Sequence, residues 1–199
     1  VPAVARRLGE EGLAFFDAIA PIIDADSIDY DKVWRADRYD KGTPDYLNCP
    51  LTRDEYFKLV EEIKVARKTE FKDFEKGFED TPYFEGCMPI EAIVERGPLT
   101  LAYGPMKPKG LRDPRTGKEP FAVVQLRQEN KEGTAYNMVG FQTKMAYSEQ
   151  SRVFRLIPGL ENAEFHKLGS IHRNLYIHTP SCLSKDLSSK FDSELYFAG

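Results

Sequence analysis

No apolar run in this sequence approaches the ~20 residues that a helix needs to cross a bilayer. The longest candidate, Leu13 to Ile23, is interrupted by Asp17 and Pro21. A soluble chain is therefore expected, with no membrane partner and a cytoplasmic setting. The chain opens at Val1 without a Met, a basic leader or an apolar signal core. No targeting segment is expected, and a longer parent protein is. Cysteine is scarce: Cys49, Cys87 and Cys182 are an odd count, 38 and 95 residues apart. That spacing fits neither a disulfide framework nor a zinc site, so reduced thiols and no metal are expected. An excess of positive charge is also missing, since 28 Lys and Arg face 32 Asp and Glu for a net charge of -4. This argues against a dedicated nucleic-acid binder, whose domain is usually basic overall. Finally, no G-x-G-x-x-G occurs, so any dinucleotide phosphate loop lies outside this chain.

What is present is ordinary globular composition, 41% hydrophobic and 30% charged over 199 residues, enough for one substantial domain or two small ones. Residues 3 to 11 read as the end of a helix stopped by Gly12, and Leu13 to Ala20 as a short apolar strand ended by Pro21. Asp24, Asp26, Asp29 and Asp31 lack the glycine and terminal Glu of a calcium loop and read as turn chemistry. Val33 to Ala36 suits a short strand. Thr52 and Glu55 form a capping-box pattern ahead of Phe57, Leu59, Val60, Ile63 and Val65, which predicts a helix over 53–68 and a charged surface loop to Lys76. Leu99 to Tyr103, Phe121 to Gln128 and Tyr136 to Thr143 read as an antiparallel meander. A helix over 148–156, stopped by Pro158-Gly159, and a strand over 173–177 follow. Helices and antiparallel strands in separate blocks give an α+β class, an antiparallel sheet with flanking helices.

Two segments carry candidate chemistry. In Phe84-Glu85-Gly86-Cys87-Met88-Pro89-Ile90-Glu91, Pro89 suits the first turn of a helix that Gly97 ends. Cys87 then falls at or just before a helix N-terminus, where unpaired N–H groups favour a thiolate and lower the thiol pKa. The other reading is a small buried filler, with Glu91 only a helix cap. Cys49 has no helix start beside it and Cys182 no activating neighbour, so both read as structural. From Lys107 to Lys118, five basic residues stand against Asp113 alone. Lys107, Lys109, Arg112 and Arg115 are candidates for phosphate contact, and a solvated hairpin rim is the alternative.

The sequence resembles the folate- and flavin-dependent tRNA (uracil-5-)-methyltransferases, relatives of the glucose-inhibited division protein A flavoproteins. Besides residues 84–91, the likeness is carried by Arg38 to Gly42, Tyr46 to Leu51, Gly104 to Pro108, Gly110 to Pro114, Ala122 to Glu129 and Tyr136-Asn137. It continues through Val139 to Thr143, Arg152 to Phe165 and His172 to Asn174, in family order over nearly the whole chain. Thr179 to Lys190 departs from the pattern, and no function is carried onto it.

The resemblance implies an insertion domain separated from its FAD-binding Rossmann-like domain. On that basis residues 1–12 are the end of a helix at the edge of the flavin domain, 13–190 the inserted substrate- and tRNA-facing domain, and 191–199 a strand returning to the flavin domain. It implies that Cys87 adds to carbon 6 of a T-loop uracil in tRNA, that 5,10-methylenetetrahydrofolate gives a methylene, and that FAD reduced by NAD(P)H completes the methyl group. Uracil carbon 5 is a poor nucleophile until something adds at carbon 6. Glu91, Arg127 and Arg173 are expected to shape the site; for Arg127, Arg152, Arg155 and Arg173 the alternative is simple pairing with acids. The isolated chain is expected to hold no cofactor tightly and to be inactive alone. Two alternatives stand beside this reading: an inert RNA-binding or assembly module of the same fold, and the same chemistry on ribosomal RNA.

Overall fold

A computed structural model describes residues 13–41, 43–69, 83, 85–176 and 178–196. The helix expected over 3–11, the loop from 70 to 76 and the return at 197–199 lie outside the described residues. Eight strands are described: β1 (Leu13–Ile19), β2 (Ile22–Asp24), β3 (Trp34–Arg35), β4 (Tyr46–Leu51), β5 (Ala122–Gln128), β6 (Ala135–Met138), β7 (Phe165–Lys167) and β8 (Ser170–Tyr176). The helices are α1 (Arg53–Val65), α2 (Ile90–Glu95), α3 (Thr100–Tyr103), α4 (Tyr147–Phe154) and α5 (Thr179–Cys182). Six strands make one sheet in the order β3-β4-β5-β6-β2-β7, and β1 pairs with β8 in a separate two-stranded sheet. The paired strands all run antiparallel. The α+β class therefore holds.

Alternation explains the layers. On β4, Leu47, Cys49 and Leu51 face the core, as do Ala122, Val124 and Leu126 on β5. Tyr56, Leu59, Val60 and Ile63 of α1, with Ile90 and Val94 of α2 and Val153 and Phe154 of α4, cover that face. The opposite face of β5 is closed too, because Val123 packs with Trp34 and Leu111 in a smaller cluster. There Asn48 is buried, its Nδ2 donating to the Ala36 carbonyl at 2.9 Å and its Oδ1 accepting from Gln125 Nε2 at 3.0 Å. The capping box at α1 forms as the pattern predicts, with Glu55 N donating to Thr52 Oγ1 and Thr52 N to Glu55 Oε2. Among the described residues no helix is long and apolar enough to cross a membrane.

Three expectations change. Leu99 to Tyr103 is not a strand: Thr100–Tyr103 is one helical turn, with Leu101 fully buried and Tyr103 76% exposed. The Leu101 carbonyl accepts from both Gly104 N and Met106 N, which coils the chain where alternation alone suggests extension. The strand expected over 136–143 ends at Met138, since Phe141 N turns back onto the Met138 carbonyl at 3.2 Å. The meander is therefore only the β5–β6 hairpin, and the outer neighbours of that pair are β4 and β2 from the N-terminal half.

Candidate active site

Cys87 closes the 3-10 turn Glu85–Cys87, and α2 begins three residues later with Pro89 as its N-cap. The thiol is partly exposed, whereas Cys49 and Cys182 are fully buried and all three are free. The expected lowering of the Cys87 pKa is overturned. The Asp17 carboxylate, with partial burial, raises the thiol's pKa. The helix offers little opposition: it has six residues, and its first N–H, on Ile90, is already donated to the Gln142 carbonyl at 2.7 Å. Burial also pushes the Cys49 thiol up, far beyond the range in which it ionises.

Asp17 is reached from β1, where it stands opposite His172 on β8 and is itself partly buried. Beside it Phe16 is buried and bridges to Tyr83, their rings 6.1 Å apart. Tyr83 also carries Lys144, whose Nζ donates to the phenol oxygen at 3.0 Å. Glu91 is 1% exposed on α2. Its carboxylate accepts from the Thr143 hydroxyl and from Lys144 N at 3.3 Å, and Thr143 Oγ1 accepts in turn from Met145 N at 3.0 Å. Burial raises the Glu91 pKa against these bonds. Glu91 therefore fastens the helix that follows Cys87 to the 142–145 segment. Sequence reading placed Cys87 and Glu91 but missed Asp17, Tyr83, His172, Thr143 and Lys144. The available signal was Asp17 itself, a lone acid in an apolar strand.

A cavity of about 510 Å³ is lined by Arg67, Lys68, Tyr147, Ser170 and Ile171, and neither Cys87 nor Glu91 is among its walls. Arg67 donates to Ser148 Oγ at 3.2 Å, Lys68 pairs with Glu95 at 3.4 Å, and the Tyr147 ring is exposed.

The remaining predicted residues lie elsewhere. Arg127 is exposed on β5 and lines another cavity with Arg35, Asp45 and Tyr46. Arg173 stands opposite Phe16 on β8, and its side chain lies outside what the structure describes. Lys107, Lys109 and Arg112 are exposed, with no carboxylate in ion-pair contact among the described residues. Their segment is held by Arg38, whose Nη1 donates to the carbonyls of Lys107 and Lys109 at 2.6 and 3.0 Å and whose Nη2 donates to Gln125. Arg115 is different, because its guanidinium grips both oxygens of Asp113 at 2.9 and 2.7 Å and donates to the Asp31 carbonyl. This pairing lowers the Asp113 pKa and ties down the 113–117 turn. Arg152 pairs with Glu62 and Glu149, and Arg155 donates to the Ala163 carbonyl.

A family profile described as Glucose inhibited division protein A matches residues 2–199. The chain belongs to this family. Among curated relatives, the methylenetetrahydrofolate--tRNA-(uracil-5-)-methyltransferase TrmFO of Bdellovibrio bacteriovorus is 69% identical over 194 residues, covering 98% of this chain and 43% of that protein. The similarly named protein of Syntrophotalea carbinolica is 57% identical over 198 residues, covering 100% and 42%. That of Rhodospirillum rubrum is 58% identical, covering 99% and 40%. The chain thus spans less than half the length of these relatives. A solved structure of Aquifex aeolicus GidA in its form II crystal matches with a TM-score of 0.56 at 16% identity, over 94% of this chain and 28% of that one. This likeness places the fold among GidA structures.

Proposed function

We propose that this chain is the substrate-facing segment of a folate- and FAD-dependent methyltransferase that forms 5-methyluridine in the T loop of tRNA, with Cys87 as the nucleophile. The observation that carries this is the identity of 57–69% to proteins named for that activity, over 98–100% of the chain. Cys87 supports it as the one thiol of the three that is not sealed in the core. A separate cavity holds a cation at Arg67 and an exposed aromatic ring at Tyr147, groups suited to a phosphate and an unstacked base. In this reading residues 13–190 are the inserted domain, residues 1–12 and 191–199 join it to the flavin domain, and tRNA and that domain are its partners in the cytoplasm.

The chain's own residues do not fit a flavin. Its sequence has no glycine-rich dinucleotide loop, and its paired strands, all antiparallel, offer no βαβ crossover among the described residues. FAD, 5,10-methylenetetrahydrofolate and NAD(P)H therefore belong to the whole protein. What this segment supplies is the addition of sulfur to uracil carbon 6, which turns carbon 5 into a nucleophile.

The test is covalent trapping in the full-length protein with its cofactors, on an RNA stem-loop carrying 5-fluorouracil at the target position. Fluorine cannot leave carbon 5 as a proton does, so the adduct persists. A shifted band on a denaturing gel is expected for the wild type, Cys49→Ala and Cys182→Ala, and its loss for Cys87→Ala. A band that survives in folded Cys87→Ala places the nucleophile elsewhere. No band in any variant favours an inert binding module.

A further inference from the structure

Tyr39 breaks a backbone rule that its own packing does little to offset. Its φ of 63° and ψ of 24° lie in the left-handed region, costly for any side chain with a Cβ and rare for a bulky one. The residue is 57% exposed, so burial returns little of that cost. The conformation is enforced by its neighbours. Tyr39 N donates to the Gly110 carbonyl at 2.8 Å, and the preceding Arg38 donates to the carbonyls of Lys107 and Lys109 at 2.6 and 3.0 Å. Enforced strain of this kind clusters at functional sites and ligand clamps.

What the strain achieves is the display of a ring. A Cβ added to Gly110 would stand 3.0, 2.8 and 2.8 Å from Cγ, Cδ1 and Cε1 of Tyr39. A point off the edge of a ring cannot be so nearly equidistant from three consecutive ring atoms, so Gly110 lies under one face. Only glycine leaves room there, at a φ of +80° that also suits glycine. The other face is left to solvent, with no second ring stacked on it among the described residues. Beside it, a cavity of about 420 Å³ is lined by Tyr39, Gly110, Arg112, Asp37 and Glu119. Arg112 is exposed, with no hydrogen bond or ion pair among the described residues. Both carboxylates are engaged, Glu119 Oε1 accepting from Gly110 N at 2.9 Å and Asp37 Oδ1 from Asp45 N at 3.2 Å. Lys107 and Lys109, both exposed, extend the cationic edge.

We propose that Tyr39 is a stacking platform for an unstacked base of the bound RNA, with Arg112 at that nucleotide's phosphate and Lys107 and Lys109 at the phosphates beside it. This rests on the reading of tRNA as the substrate. An open aromatic face beside unpaired cations is what single-stranded nucleic acid recognises, since every base has a π-face and every phosphate a charge. The spare lone pairs of Asp37 and Glu119 suit the N–H edge of a base or a ribose hydroxyl, which leaves Arg112 as the phosphate end of the cavity. This base is not the one that Cys87 attacks. Leu111, beside Arg112, packs with Trp34 and Val123 on the face of β5 turned away from α2, the helix that follows Cys87. The platform is a second hold on the RNA, across the sheet from the chemistry.

Filter binding of an unmodified tRNA transcript to the full-length protein, over a salt series, tests this. Tyr39→Asn removes the ring yet suits the left-handed backbone, so residues 38–41 keep their course. Its affinity should fall by about 5–150-fold, the usual share of one stacked base. Its log–log slope against salt should match the wild type, because no phosphate contact is lost. Tyr39→Phe keeps the ring and should bind within about twofold of the wild type. A ring that only props up the basic segment behaves differently: Tyr39→Asn would then flatten the slope, as removal of the three cations does. Unchanged affinity in Tyr39→Asn, a loss accompanied by a flattened slope, or an equal loss in Tyr39→Phe overturns the proposal. A wild type that fails to bind the transcript overturns the tRNA reading and the proposal together, whereas wild-type binding that Tyr39→Asn leaves undiminished overturns the proposal alone.

Discussion

Replacing Glu91 by alanine should loosen the mount of Cys87, and the cost follows from what the carboxylate touches. It accepts from the Thr143 hydroxyl and the Lys144 amide, in a place where the side chain is 1% exposed. Alanine leaves two donors without that acceptor, at about 1–3 kcal/mol each. Relief of the buried carboxyl, whose raised pKa records its unfavourable burial, returns part of this. A net loss of about 2–4 kcal/mol is expected. Urea unfolding of the 199-residue chain at pH 7, followed by the fluorescence of its one tryptophan, Trp34, measures it. Glutamine keeps one acceptor and drops the charge, and should stay within about 1 kcal/mol of the wild type. The pH dependence has a definite sign. The folded-state pKa of Glu91 is raised, so its contribution is fully present below the ordinary glutamate value of 4.5 and is lost as pH rises through the higher folded value. Glu91→Gln should remove that slope. Glu91→Ala within about 0.5 kcal/mol of the wild type, with the slope intact, would refute the reasoning.

Removing the charges of Lys107, Lys109 and Arg112 together should weaken RNA binding by the parent protein and flatten its dependence on salt. The log–log slope should fall by roughly 2–3, at about 0.7–0.9 per phosphate contact. Arg115→Ala alone should leave both unchanged, because that guanidinium is spent on Asp113 and the Asp31 carbonyl. Filter binding across a salt series separates the two outcomes. Gly140→Ala should cost at least about 2 kcal/mol in the same urea assay: φ there is +76°, and an added Cβ would stand 2.5 Å from Pro105 Cβ.

Elements with their own periodicity or punctuation were legible in the sequence. The capping box of α1, the stop of α4 before Pro158-Gly159 and the β5–β6 hairpin each depend on residues close together in the chain. Leu99 to Tyr103 reads as a strand because apolar residues alternating over so short a stretch fit both periods, whereas the Leu101 carbonyl, accepting from Gly104 N and Met106 N, closes a coiled turn. The three-residue β2 and β7 were too short to signal themselves. At the site, Cys87 and Glu91 belong to one local motif and were found together. Their partners are distant in sequence: Asp17 and His172 meet only because β1 pairs with β8 across some 150 residues, and Thr143 reaches Glu91 over 52. Pattern reading has no access to such pairings. Arg115 failed for another reason, since charge counting cannot tell a free guanidinium from one closed onto its own turn.

The two carboxyls near Cys87 differ in burial. Glu91 is sealed and bonded on the core side, where it fixes the position of α2 and cannot reach solvent or substrate. Asp17 is only partly buried, and its carboxylate helps to raise the Cys87 pKa. Neither stabilises a thiolate. A cysteine kept as the thiol is a poor target for oxidants and stray electrophiles, since both react with the thiolate. The Asp17 carboxylate and partial burial thus disfavour the Cys87 thiolate. A helix N-terminus, the device the sequence suggests, would lower the thiol pKa at all times and forfeit that protection.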